Sequence, residues 1–236
     1  MQARQRPTRV IVLCGGTDFW SNGIHLNLIE AAASPADESW RNIEAMNDLV
    51  LAILETDSQM TVAALRGNAG AGGVFLALAA DMVWARQGVI LNPHYRNMGN
   101  LHGSEYWTYT LPRRVGAARA AALVRDRLPL GAMQAQGAGL IDACFGADAQ
   151  GFLDETRRRA VQLAGADWAE RLAEKRERRH RDEAERPLSA YRAAELAEMQ
   201  RNFYGFDPSY HVARYHFVYK LPHAWTPRHL ARHRSS

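Results

Sequence analysis

The sequence predicts an α/β fold, on three observations. Residues 10–14 (VIVLC) form a continuous apolar, β-branched run, as a strand buried on both faces requires. A glycine-rich stretch, residues 66–73, separates a second such run at 61–65 from an apolar helical segment at 74–80. Strand, loop and helix then alternate again through residues 81–85, 88–92 and the alanine-rich stretch 117–124.

Each element has a local reason. Gly15-Gly16-Thr17-Asp18 ends the first strand. A helix starts at Ser34-Pro35-Ala36-Asp37: serine suits the N-cap, proline the first helical position, and aspartate the positive end of the dipole. Trp40, Ile43, Val50, Ile53 and Leu54 give it one apolar face, which Asn47 interrupts. Residues 93–103 are irregular and rich in Asn, Gly and His, and residues 104–111 open a helix expected to break at Pro112. Helices follow at 117–124 and 132–138, the latter closed by Gly139, then a strand at 140–145 and a helix at 148–163. Beyond lie a charged helix at 167–185 stopped by Pro187, a helix at 189–201 and an aromatic tail. The organisation read from this is a core over residues 1–165 and a helical, aromatic extension over 166–236.

Composition narrows the class. Hydrophobic residues are 47% and charged ones 23%, a globular balance that excludes disorder as the global state. The apolar runs are too short to span a bilayer, and no export signal is visible, so a cytoplasmic protein is expected. Cys14 and Cys144 cannot build a disulfide framework and lack metal-site spacing, so no metal is expected. The net charge of +4 is unevenly placed: from Arg171 onward there are fourteen Lys/Arg against eight Asp/Glu, with six of the nine histidines. A basic tail can mean nucleic acid or another polyanion, but Glu and Arg alternate between 170 and 177. A solvated helix explains that pattern better, and nucleic acid is not expected as a partner.

Gly67, Gly70, Gly72 and Gly73 precede a helix whose free N–H groups face the loop, which suits a phosphate or an oxyanion. The stretch lacks the Lys-Ser/Thr of a P-loop, because Val74-Phe75 follows Gly73, and it is no dinucleotide fingerprint. Taken alone, such glycines more often serve tight helix–strand packing.

Two loops together say more. Phe19-Trp20-Ser21-Asn22-Gly23-Ile24-His25-Leu26 and the later Arg66-Gly67-Asn68-Ala69-Gly70-Ala71-Gly72-Gly73 resemble the paired signatures of the crotonase (enoyl-CoA hydratase/isomerase) superfamily. Leu111-Pro112-Arg113-Arg114-Val115-Gly116 and Gln134-Ala135-Gln136-Gly137-Ala138-Gly139-Leu140-Ile141 continue the likeness, which runs from about residue 10 to 164. The resemblance implies a crotonase-like (ClpP/crotonase) ββα superhelix with a C-terminal helical extension. It also implies a CoA-thioester site in which the backbone amides of Ile24 and Gly72 bind the thioester carbonyl oxygen. Ser21, Gly23, Ile24, Gly70 and Gly72 would contact CoA. The departures matter as much. His25 replaces the usual aspartate, Phe75 stands where hydratases carry their first catalytic glutamate, and His94 stands about where the second would be. Hydration needs two acid/base groups, and a phenylalanine transfers no proton, so ordinary enoyl-CoA hydration is not the expected reaction.

Residues 92–107 are dense in proton-transfer side chains. Pro93-His94-Tyr95, Met98-Gly99, Gly103-Ser104-Glu105-Tyr106-Trp107, Asn202-Phe203-Tyr204 and the stretch from Tyr215 to Lys220 resemble the C-terminal, crotonase-like half of the HypX (HoxX) family of hydrogenase-maturation proteins. That resemblance implies release of CO from formyl-CoA, to supply the CO ligand of [NiFe]-hydrogenase. Tyr95 and Glu105 would act at the formyl group, with His94 and His102 in support. The implied partners are CoA, a formyl-tetrahydrofolate-dependent transfer domain and the hydrogenase assembly machinery. Another CoA-thioester reaction (isomerisation, hydration or hydrolysis) and a non-catalytic CoA-binding assembly module are the alternatives. Only eighteen residues precede Phe19, fewer than a crotonase domain normally has there. The N-terminal edge of the core is therefore expected to be truncated, its missing part and the transfer half lying upstream or on a partner chain. The charged helix at 167–185 is expected to cover the pocket and offer arginines to the CoA phosphates, and the tail at 203–219 to be a docking surface.

Overall fold

The first six strands are dealt alternately to two sheets. The first sheet holds β1 (Val10–Cys14), β3 (Met60–Leu65), β5 (Met82–Arg86) and β8 (Ala143–Phe145), all parallel and in that order. The second holds β2 (Phe19–Ser21), β4 (Asn68–Gly70), β6 (Ile90–Asn92) and β7 (Leu130–Gly131), with only the last pair antiparallel. The computed structural model describes residues 2–16 and 18–222.

A helical layer follows each pair of strands. After β2 come α1 (Leu26–Glu30) and α2 (Pro35–Leu54), after β4 comes α3 (Gly72–Leu78), and after β6 come α4 (Trp107–Val115) and α5 (Ala117–Asp126). The ββα repeat expected from the sequence is thus present. Then come α6 (Ala132–Gly137), between β7 and β8, and α7 (Ala149–Leu163), α8 (Trp168–Glu185), α9 (Leu188–Tyr204) and α10 (Ser209–Val218). Every residue of β3 is buried, which is why its sequence shows no alternation. Val74, Phe75, Leu65, Val83 and Leu91 meet in the largest apolar cluster, so α3 lies in the core.

The Ser34 cap behaves as read, and Asp148 caps α7 in the same way. Ser34 Oγ accepts from Asp37 N at 3.4 Å, and Asp148 accepts from Gly151 N at 2.8 Å. Other expectations need correction. α4 begins at Trp107, not residue 104, and runs through Pro112; burial of Tyr109, Thr110 and Leu111 outweighs one lost backbone bond. The strand expected over 140–145 starts only at Ala143, because Leu140 and Ile141 turn inward and Asp142 Oδ2 accepts from Val83 N at 2.6 Å. β2, β4 and β7, with two or three residues each, passed for loop because nothing so short shows a period.

The extension also differs. α8 docks through Lys175, whose Nζ meets Asp81 Oδ2 at 2.6 Å and Gln59 O at 2.8 Å, and it lies away from the cavity described below. The aromatic stretch is the helix α10, packed on α1 and α9, with Tyr210 buried and bonded to Ser39 Oγ at 2.7 Å. It still exposes Phe206, Tyr215, Phe217 and Tyr219. No helix among the described residues is long and apolar enough to cross a membrane.

Candidate active site

The two glycine loops meet. A methyl group built on Gly23 would lie 3.6 Å from Gly72 N, and Gly23 has φ +84°, which favours glycine. The approach needs Gly73 even more: a Cβ there would stand 1.9 Å from Ser21 O. Trp20 Nε1 donates to Gly73 O at 2.9 Å and fastens the start of α3 to β2. As first residue of α3, Gly72 has no helical acceptor for its N–H. Among the described residues the N–H groups of Ile24 and Gly72 have no hydrogen-bond partner. His25, in place of the usual aspartate, caps α1 by accepting from Leu28 N at 3.3 Å.

Against Gly72 stand Tyr95 and Glu105, hydrogen-bonded to one another. The Tyr95 hydroxyl donates to Glu105 Oε2, with Ser104 O 3.1 Å away. The Glu105 carboxyl lies against Gly72, since a Cβ on that glycine would be 2.9 Å from Oε1. Burial pushes the Glu105 carboxyl up to about 7, opposed by the Tyr95 hydroxyl bond. Burial and the neighbouring carboxyl push the Tyr95 hydroxyl well above its ordinary value. Phe75, replacing the hydratase glutamate, stacks on the Tyr95 ring at 5.2 Å and 24°. Gly103, with φ +94°, makes room for that ring: a Cβ would stand 2.0 Å from Tyr95 Cδ2.

The sequence-read residues do not all converge. Gly23, Ile24, Gly70, Gly72, His94, Tyr95 and Glu105 line one cavity of about 330 Å³, closed by Met199 of α9 and by Tyr210 and Phe217 of α10. Ser21 lies behind this lining and holds the loop, its Oγ accepting from Gly23 N at 3.2 Å. His102 is also outside it, its ring 5.4 Å from that of Trp107. His94 is buried and pushed down to about 4 by burial, so its ring is neutral at pH 7. With Nε2 donating to Arg127 O at 3.2 Å, Nδ1 is left without a partner among the described residues.

Two further residues hold Glu105, and the sequence reading had missed both. Glu105 and Tyr106 are left-handed, with φ +63° and +56°, an arrangement that side chains oppose. Asn47 Oδ1 of α2 accepts from Glu105 N at 2.7 Å. Glu195 of α9 accepts from Tyr106 N and Thr108 N, both at 2.9 Å, and from Thr108 Oγ1 at 2.6 Å. It thereby caps α4, whose N-cap residue Tyr106 supplies no side-chain acceptor. Burial pushes Glu195 up to about 7, and its Thr108 and Tyr106 donors oppose that. Asn47 did leave a signal, as a polar interruption of an apolar helical face. Glu195 left none.

The family called Enoyl-CoA hydratase/isomerase matches residues 1–228. The chain belongs to the crotonase family. Among solved crotonase structures, enoyl-CoA hydratase from Bacillus halodurans superposes at a TM-score of 0.77 with 19% identity, over 91% of this chain and 84% of that one, a likeness of fold alone. Hydrogenase maturation factor HoxX of Bradyrhizobium diazoefficiens is 56% identical over 232 residues, 98% of this chain but 41% of that protein. HypX from Aquifex aeolicus, crystallised with tetrahydrofolic acid, superposes at 0.93 with 49% identity, over 100% of this chain and 42% of that one. The chain therefore spans about two fifths of the length of these two relatives.

Proposed function

We propose that this crotonase domain releases carbon monoxide from formyl-CoA. The observation that carries the reading is the Tyr95–Glu105 pair, buried against Gly72 and beside two unpartnered amides in one apolar cavity. The residues fit a thioester: two N–H donors for the carbonyl oxygen, no side chain on Gly23, Gly70 or Gly72 to obstruct it, and no polar network competing for the donors. The Ile24 and Gly72 amides accept charge developing on the carbonyl oxygen, each contributing roughly 2.7–4 kcal/mol by analogy with oxyanion sites. Glu105, as carboxylate, takes the formyl proton. The C–S bond then breaks, its electron pair leaving on sulfur, and the thiolate takes a proton from the Tyr95–Glu105 pair. One formyl thioester gives one CO and one thiol, with no oxidant or reductant. Phe75 keeps the Tyr95 ring in place and water out, where hydratases carry their first catalytic glutamate.

The wider role follows from the relatives' names. One is a hydrogenase maturation factor by name, and the other was crystallised with tetrahydrofolic acid. We propose that this domain works in the cytoplasm with a formyl-tetrahydrofolate-dependent transfer unit, on the same polypeptide or another. Its CO would become the active-site ligand of [NiFe]-hydrogenase.

The test is formyl-CoA with haemoglobin as the CO trap. Wild-type chain should release CO, and Glu105→Gln and Tyr95→Phe should each lose about 10²-fold or more. Absence of CO from the wild type, supplied with its transfer unit, or full activity in both variants would overturn the proposal.

A further inference from the structure

The loop that carries Glu105 is held by its backbone, and most of the acceptors come from one stripe of one helix. Glu195, Met199 and Asn202 sit four and then three residues apart on α9, which places them on the same face. Each receives an N–H from the loop: Tyr106 N and Thr108 N go to Glu195, Gly103 N to Met199 Sδ at 3.2 Å, and His102 N to Asn202 Oδ1 at 2.9 Å. Asn47 takes the remaining one, from Glu105 itself. These bonds span residues 102–108, including the consecutive left-handed pair at 105 and 106. Two such residues in succession persist only where surrounding structure over-determines them.

We infer that this face of α9 sets where the Glu105 carboxyl stands, and that Glu195 is a positioning residue for the proposed reaction. The inference rests on that reaction for its kinetic readout, but not for its geometry. Glu195 is not part of the cavity lining; it holds the backbone of Tyr106 and Thr108, just beyond the lining residue Glu105. It is fully buried and belongs to the extension, so the site is incomplete without α9. The titratable groups facing Glu105 are Tyr95, from its own segment, and Glu195 from α9; α2 and α3 bring Asn47 and Gly72, which carry no charge. The Glu105 charge raises the Glu195 carboxyl, as a like charge does, and such a coupling acts in both directions by linkage.

The test uses Glu195→Gln in the full chain. Glutamine keeps the shape, but its amide nitrogen meets an N–H where a carboxylate oxygen stood. The expected result is a fall in kcat for CO release of about tenfold or more, with KM for formyl-CoA within about twofold, because distant misplacement costs orientation rather than binding. A titration of ¹³C-labelled glutamates, with the Glu105 signal assigned through Glu105→Gln, should move to lower pH once the Glu195 charge is gone. The acid limb of the pH–rate profile should follow it. Thr108→Val guards against misfolding: it is isosteric, removes only the hydroxyl bond to Glu195, and should lower kcat by about threefold. A lowered melting temperature with kcat and the Glu105 titration unmoved in both variants would overturn the inference. A moved titration in a protein that never makes CO would sustain it and sink the proposed reaction.

Discussion

The two sides of the cavity are built on opposite principles. The side at Gly23–Ile24 and Gly72 is made of backbone, and its requirement is absence: of side chains on three glycines, and of competing acceptors for two amides. The side at Tyr95 and Glu105 is made of side chains, and its requirement is presence: of Phe75 beneath the ring, and of Asn47 and Glu195 on the backbone behind. The first needs only that two loops approach, so it serves any reaction that develops negative charge on a thioester oxygen. The second determines which reaction that is. On the proposed reading, one family could keep its anion-stabilising half and exchange its proton-transfer half, as Phe75 in place of a hydratase glutamate suggests.

The sharpest way to break the backbone side is Gly73→Ala. Its methyl group would meet the backbone carbonyl of Ser21, which cannot swing away as a side chain could. The two loops must separate, at a cost of at least about 3 kcal/mol. Thermal unfolding should show a drop of that order or no folded protein at all. A melting temperature near wild type would mean that the loops do not approach so closely.

On the other side, Phe75→Ala removes a fully buried ring and leaves a hole beneath Tyr95. Destabilisation of about 3–5 kcal/mol is expected from denaturant unfolding. Phe75→Leu should cost less, yet still slow CO release, because an aliphatic floor lets the tyrosine ring tilt. If Phe75→Leu left the rate intact, the ring stacking would have no part in placing the hydroxyl.

The contrast also explains what the sequence discloses. Glycines required by close approach cannot be replaced quietly, so the spacing at 23, 70, 72 and 73 was legible before any coordinates. The β3 and β5 strands were equally plain, because burial on both faces leaves unbroken apolar runs; β1 reads the same way but is a half-buried edge strand whose Cys14 is exposed, not the strand buried on both faces that its sequence suggests. Tyr95 and Glu105 were visible only through family resemblance, since a tyrosine in a loop and a glutamate near a helix start are ordinary. The clamp behind them was hidden for a physical reason. Asn47 and Glu195 lie 58 and 89 positions from the backbone groups they bind, so no local pattern links donor to acceptor. The second sheet was hidden by shortness, and the true covers of the cavity, α9 and α10, by a tail whose aromatics read as surface.

The pH dependence separates the two sides more gently. Glu105 has its pKa raised from 4.5 to about 7 on folding. Such a group binds its proton more tightly when folded, so its stabilisation is complete below about 4.5 and disappears as pH rises to about 7. The melting temperature should therefore decline across that window, and Glu105→Gln should flatten the decline. The rate should run the other way, rising towards a plateau above pH 7 as the carboxylate forms. A rate independent of pH between 5 and 8 would remove Glu105 as the base.

The smallest expected effect sharpens the comparison by matching charge while changing place. Glu177 on α8 is a carboxylate of the same extension as Glu195, but it faces solvent and pairs only with Arg181, one turn on, at 2.8 Å. An exposed pair of this kind contributes at most about 0.5 kcal/mol, and water screens what charge it carries. Glu177→Gln should therefore leave unfolding, the rate and the Glu105 titration all within error. That null result would place the effect of Glu195→Gln in its three hydrogen bonds to the loop. A comparable shift from Glu177→Gln would instead trace both to the loss of one negative charge from the extension, and the clamp would lose its kinetic meaning.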